Sequence, residues 1–326
     1  MRLRRNARRS FRSALALATL LALAGAAHAD AARAQAPVPL MWKVSDQDSS
    51  LYLLGSFHLL KPADYPLSRD IDVALADAEQ VVFEIPPEEL GSPMLGMQMR
   101  QAALRTDGTG LDSELPEQTR QALAEWTRAN AAPLEAMKLP AQALQMFEPW
   151  FVGLMVTVVE MGKAGLDPTL GLDTHLARRA GETGKATAGL ETGVEQIAFL
   201  DGMDRAEQLQ FLQQALEGAA EGPAEIDKLH AAWRNGDAAA LWEGMAADMR
   251  REFPDLYRRI NVERNAAWVP KLEAKLQAPG GDHVLVVVGA LHLLGEDGVV
   301  EQLRAKGYEV ERICSACAEA GAKGAR

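Results

Sequence analysis

Cysteine is nearly absent, with two in 326 residues, which excludes a small scaffold built on a disulfide framework. Aromatic residues make up only 6%, so the 48% hydrophobic content is mostly aliphatic, and it is enough to exclude a disordered polar chain. Basic residues are in deficit: 34 Lys+Arg face 45 Asp+Glu, a formal net charge of −11. That balance argues against a general nucleic-acid binder, which needs a basic stripe to neutralise phosphates. No HExxH zinc helix, GxSxG elbow or Cys–His arrangement is present, and both cysteines lie near the C-terminus. Beyond residue 29 no run is long and apolar enough to anchor the chain in a bilayer, so no stable membrane insertion is expected.

What is present begins with an N-terminal segment of unusual character. Arg2, Arg4, Arg5, Arg8, Arg9 and Arg12 precede any acidic residue, Ala14 to Ala27 is apolar, and Ala27-His28-Ala29 follows. A basic start, a short apolar stretch and a small-x-small exit are the parts of a secretory signal. Residues 1–29 are therefore expected to direct export, placing the protein in a periplasm or outside the cell. Residues 30–40 are expected to form a flexible lead-in, residues 41–313 one α/β domain, and residues 314–326 a tail. In an exported chain Cys314 and Cys317 are expected to pair as a structural staple.

Within the domain, Trp42–Val44 and Ser50–Gly55 read as a hairpin, Pro66–Ala78 as a helix and Gln80–Ile85 as a buried strand. That order predicts a β–α–β unit with a parallel strand pair. The middle is mostly helical, including predicted helices over Ala141–Lys163 and Asp255–Leu276, interrupted by a strand at Ala186–Leu190. A β-branched strand, His283–Val288, a short helix and a final strand, Tyr308–Ile313, close the chain. Phe151–Val159 is apolar but half the length a membrane span needs, so it is read as a buried core helix.

Two segments resemble each other: Leu53-Leu54-Gly55-Ser56-Phe57-His58-Leu59-Leu60 and Val287-Val288-Gly289-Ala290-Leu291-His292-Leu293-Leu294. Each is an apolar strand followed by G-x-x-H-L-L, a helix and another strand. The pair points to a duplicated β–α–β unit whose halves meet in one central sheet, with a large helical insertion between them. Ligands of open α/β sheets collect beyond the carboxyl ends of the strands, where His58 and His292 would sit. Glu84 falls at the end of the next strand and Glu191 just after the middle one. Two imidazoles with one or two carboxylates have the ligand types for a divalent transition metal, and equally the groups for metal-free acid–base hydrolysis. Glu191-Thr192 also reads as a helix-start signal. Asp173 and His175 invite a metal reading, but an i, i+2 pair does not share a helix face. Asp173 is accordingly read as a helix cap and His175 as a surface residue.

Taken with Val82-Phe83-Glu84, Pro149-Trp150, Gly171-Leu172-Asp173, Gly189-Leu190-Glu191-Thr192 and Glu263-Arg264-Asn265, the paired motif resembles the TraB/GumN family, which includes PrgY-like and Tiki-like proteins. The resemblance implies a mixed α/β fold of the erythromycin-esterase/ChaN/Tiki type. It implies His58, His292 and Glu84 as ligands of Zn²⁺, Mn²⁺ or Co²⁺, or His as a base without metal. It implies Arg264 as the group that binds an oxyanion or a substrate carboxylate, and Asn265 as the residue that orients a neighbour. An ion pair fixing the long helix to the sheet is the competing account of Arg264. The leading expectation is an exported hydrolase of a peptide or small ester. The alternatives are a periplasmic protein that sequesters a peptide or polysaccharide fragment in the same cleft, or a scaffold whose histidines only bridge the two halves.

Overall fold

The computed structural model describes residues 35–317. The predicted export signal, the first residues of the lead-in and the end of the tail lie outside them. The described chain builds one six-stranded mixed sheet, with strands β1 (Met41–Ser45), β2 (Ser50–Ser56), β3 (Gln80–Phe83), β4 (Ala186–Gly189), β5 (His283–Gly289) and β6 (Glu309–Ile313). Their order across the sheet is β4-β3-β5-β2-β1-β6. β4, β3, β5 and β2 are mutually parallel, while β1 runs antiparallel to both β2 and β6. These four strands, and β6 beyond β1, therefore deliver their carboxyl ends to one rim.

The centre of the sheet is apolar on both faces, as parallel strands covered on both sides must be. Along β5, Leu285 and Val287 pack with Leu54, Val81 and Phe83 on one side. Val284, Val286 and Val288 pack with Leu51, Leu53 and Val82 on the other, as the two-residue period of a strand requires. The helix Arg264–Leu276 covers the second face through Trp268, Val269, Leu272 and Leu276. The helical middle has its own core, in which Trp150, Val152 and Val156 of the helix Pro149–Lys163 meet Leu212 and Leu216 of the helix Arg205–Glu221. Phe151–Val159 belongs to this core, and no helix among the described residues is long and apolar enough to cross a membrane.

Several elements differ from the sequence expectation. β2 and β3 are parallel but unpaired, because β5, from the far end of the chain, inserts between them. The two strand–helix–strand units also differ: β5 alone separates β2 from β3, whereas β2 and β1 both separate β5 from β6. The predicted helix Ala141–Lys163 is split into a 3-10 turn, Ala141–Met146, and the helix Pro149–Lys163. Pro149 starts the second piece and holds Glu148 before it extended. The predicted helix Asp255–Leu276 contains a π turn at Arg258–Glu263, immediately before Arg264. Cys314 and Cys317 are disulfide-bonded, and Ser315 between them bonds Asp70 through its backbone N–H at 2.9 Å and its hydroxyl at 2.5 Å.

Candidate active site

The parallel strands bring the predicted residues to one rim. β2 and β5 pair with Gly55 opposite Val288 and Ser56 opposite Gly289, so the two G-x-x-H segments leave the sheet side by side. Glu84 follows β3 and Glu191 follows β4, and the Glu191 N–H donates to the Glu84 carbonyl at 2.8 Å. Gly289 lies where these groups converge. A Cβ there would meet Glu84 Oε1 and His58 Nε2 at 3.2 Å each, and His292 Cδ2 at 3.6 Å. Its N–H donates to Glu84 Oε1 at 2.7 Å.

The two histidines are not equivalent. His58, with 52% of its side chain exposed, sits on a cleft of about 630 Å³ together with Glu84, Asp173 and Gln196. Its Nδ1 donates to Asp173 Oδ1 at 3.2 Å, leaving Nε2 toward Glu84 Oε1 at 3.9 Å. Asp173 Oδ1 is held in turn by the Ser56 hydroxyl at 2.9 Å. Burial works against the His58 proton, but the bond and charge of Asp173, with the charge of Glu84, outweigh it and push the imidazole up to about 9.

His292 lies behind the cleft wall and is buried. Its Nδ1–H donates to Asn265 Oδ1 at 2.7 Å, and its Nε2 accepts from Arg264 Nη1 at 3.0 Å. Burial, together with the charges of Arg264 and His58 and against the pull of Glu84, lowers it to about 3. It is a neutral ring locked at both nitrogens. Asn265, the residue expected to orient a neighbour, is the partner of the His292 Nδ1–H.

Arg264 is the clamp of the site. Nη2 donates to Glu84 Oε2 at 2.6 Å and to Glu191 Oε1, and Nε donates to Glu191 Oε2 at 3.2 Å. Trp268 stacks against the guanidinium at 4.7 Å and donates its own N–H to Glu191 at 3.2 Å. Burial disfavours a charged Glu84, yet Arg264 leads a set of neighbours that hold its carboxyl well below the usual range. The π turn shifts the phase of the helix at the point where Arg264, Asn265 and Trp268 begin; such turns concentrate at functional sites. Arg264 does not line the cleft. It holds Glu84 and His292 in place, and the ion-pair account describes its geometry better than an oxyanion role.

The donors as they stand do not fit the divalent ion that the resemblance implies. A catalytic metal takes three protein ligands and keeps a position open. His292 Nε2 is spent on Arg264 and Glu84 Oε2 is spent on the same guanidinium. His58 Nε2 and His292 Nε2 each lie 3.9 Å from Glu84 Oε1, but among the described residues no group of three or more His, Cys, Asp or Glu side chains is placed to hold a metal ion.

Asp173 is the site residue that the sequence reading assigned elsewhere. The helix Leu172–Thr183 is capped at Gly171 with no side-chain bond, which frees the Asp173 carboxylate for His58 and Ser56. The Gly-Leu-Asp segment was the available signal. His175 points away, against the Tyr65 ring and Arg178. Thr192, not Glu191, caps the next helix, accepting from the Glu195 N–H. His283 bonds Ser50 at the opposite strand end, and His230 is buried against Asp64.

The profile of the TraB/PrgY/gumN family matches residues 40–312, nearly all of the described chain. The chain belongs to the TraB/PrgY/gumN family. It is 24% identical over 255 residues to the "Uncharacterized protein YbaP" of Escherichia coli K12, covering 78% of this chain and 87% of the relative. It is 27% identical over 187 residues to "Metalloprotease TIKI2" of Danio rerio, covering 50% of this chain and 36% of the relative. No solved structure matches it. Within this family member, the paired motif supplies one histidine to the cleft and one to the wall behind it.

Proposed function

We propose that this TraB/PrgY/gumN protein is an exported hydrolase that cleaves a peptide or ester bond with water activated in the His58–Glu84 cleft. The observation that carries the reading is the half-exposed His58, bonded to Asp173 on one nitrogen and facing Glu84 with the other. His58 Nε2 accepts the proton of the attacking water and returns it to the leaving group. Asp173 fixes the tautomer and stabilises the imidazolium that forms, the role a carboxylate plays behind any catalytic histidine. Glu84, kept ionised by Arg264 and Gly289, holds the water and shares the imidazolium charge. The name of the Danio rerio relative supports proteolysis, and the composition of residues 1–29 supports export. A metal-dependent form of the reaction, also consistent with that name, requires Arg264 first to release His292 and Glu84. The side-by-side exit of β2 and β5 supports descent of the two motif units from one duplicated unit of the erythromycin-esterase/ChaN/Tiki type.

The test is turnover of fluorogenic peptides and p-nitrophenyl esters by the purified protein, before and after chelation. His58→Ala and Glu84→Gln are expected to lower kcat by about 10²–10⁴, the range of a lost acid–base group. Undiminished turnover in His58→Ala would remove the proposal.

A further inference from the structure

A concave site in the helical middle shares no lining residue with the His58 cleft. It is a groove of about 600 Å³ bounded by the helices Pro149–Lys163, Arg205–Glu221 and Pro223–Arg234 and by a second π turn, Glu243–Ala247. That volume lies in the range of small-molecule sites. Met161, Phe211, Ile226, Leu229 and Met245 supply apolar walls, and each is only half-buried. Methionine suits such walls, since its flexible thioether adapts to the shape of a ligand. The π turn contributes Glu243, Gly244 and Met245 to the lining, and such turns concentrate at functional sites.

The charged part of the lining is almost all of one sign. Four carboxylates, Glu160, Glu221, Glu225 and Glu243, are set against one ammonium, Lys228, which already pairs with Glu225. Among the described residues Glu221 and Glu243 have no cationic partner. Glu160 is only 4% exposed. It accepts from the Trp126 indole N–H at 2.7 Å and from Lys163 at 2.9 Å, and Lys163, with 42% of its side chain exposed, does not line the groove. A buried carboxylate offset by one solvated lysine gains from a second cation beside it.

We infer that this groove binds an amine with an apolar body, its ammonium among the glutamates and its hydrocarbon against the methionines and Phe211. Each alternative ligand uses half of the lining. A neutral apolar molecule leaves the carboxylates unanswered, an anion is repelled by them, and a polyamine leaves the apolar walls wet. Phe211, the aromatic residue of the lining, adds a ring of the kind that attracts ammonium groups. The inference stands apart from the hydrolase reading, because the two sites are built from different residues.

The test is calorimetric titration of the full-length protein at pH 7 with 4-phenylbutylamine, 4-phenylbutanol and 4-phenylbutyrate, which share one apolar body and differ in the charge of the head. The amine is expected to bind at least about tenfold tighter than the alcohol, the equivalent of about 1.4 kcal/mol, and the butyrate more weakly than either. Glu221→Gln combined with Glu243→Gln is expected to weaken the amine about threefold, the scale of exposed charge contacts. Glu160→Gln is expected to weaken it at least about tenfold, the scale of a hydrogen bond to a buried charge, and both changes should leave the alcohol unmoved. Glu125→Gln, an exposed carboxylate of the helix Glu117–Ala129 outside the groove, is expected to change nothing, with melting curves confirming that each variant folds. Binding of the alcohol or the butyrate as tight as that of the amine, amine affinity untouched by the Glu221 and Glu243 changes, an equal loss in Glu125→Gln, or self-association of the chain that shuts out all three probes would overturn the inference.

Discussion

Asp173→Asn tests the site at its most specific point. The wild-type carboxylate accepts from His58 Nδ1 at 3.2 Å and leads the contacts that raise this imidazole from 6.5 to about 9. An opposite charge at hydrogen-bond distance moves a pKa by about 1–3 units. The amide keeps the shape and the Ser56 contact but removes the charge, so His58 is expected to titrate at least one unit lower. The His58 ring proton, followed by NMR across pH 5–10 and assigned with His58→Ala, reports this directly. The activity should follow. The neutral form of His58 takes the proton of the attacking water, so wild-type kcat/KM is expected to climb with pH through about 9, and in Asp173→Asn the climb should move to lower pH and reach a lower plateau.

Stability carries the same signature. A raised folded pKa contributes stability that is complete below the unfolded value, about 6.5, and that fades as pH rises through the folded one. With half of the His58 side chain exposed, solvent screening reduces the gain to about 1 kcal/mol. The stability gap between wild type and Asp173→Asn should therefore close between pH 6 and pH 10. A wild-type His58 that titrates at its ordinary value, or one indifferent to Asp173→Asn, would refute the reasoning.

Three further outcomes follow from the geometry. Gly289→Ala places a methyl 3.2 Å from both Glu84 Oε1 and His58 Nε2 on an unstrained backbone with φ −50°; turnover should fall at least about tenfold, in the lower range of a lost acid–base contribution, while the melting temperature holds. Arg264→Ala frees His292 Nε2 and Glu84 Oε2 together. Titration with Zn²⁺ should show binding in that variant and none in wild type, and one ion per wild-type chain that disappears in His292→Ala would contradict the clamp. Asp64 is fully buried between His230, Arg234 and the Lys61 N–H. Burial opposes its charge but these partners hold its carboxyl below the ordinary range, so its contribution is present above the unfolded carboxylate value and lost on acidification. Asp64→Ala should cost about 1–3 kcal/mol in urea unfolding at pH 7, the penalty of leaving buried hydrogen-bond donors such as His230 Nε2 without their acceptor.

The strand pattern was readable because it is local. β2 and β5 are apolar runs with a glycine in their last two residues, and their two-residue period builds both faces of the core, so the rim that gathers His58, His292, Glu84 and Glu191 follows from topology alone. The helices break at Pro149, which is a local signal, and at the π turn before Arg264, for which no local signal exists. Equal motifs also suggested equal histidines, which the sheet order contradicts. β5 lies between β3 and β2, so His292 emerges under the helix Arg264–Leu276 while His58 emerges at the open side.

From the order of its residues alone, this chain determines an acidic α/β protein with a paired G-x-x-H motif and carboxylates at strand ends, because hydrophobic period and strand termini are properties of neighbouring residues. Tertiary structure alone decided that one imidazole meets solvent and the other a guanidinium, and that Asp173 answers His58 across 115 positions. Such pairings depend on which faces pack together and how each helix is phased against the sheet. Neither is encoded in any short stretch of sequence.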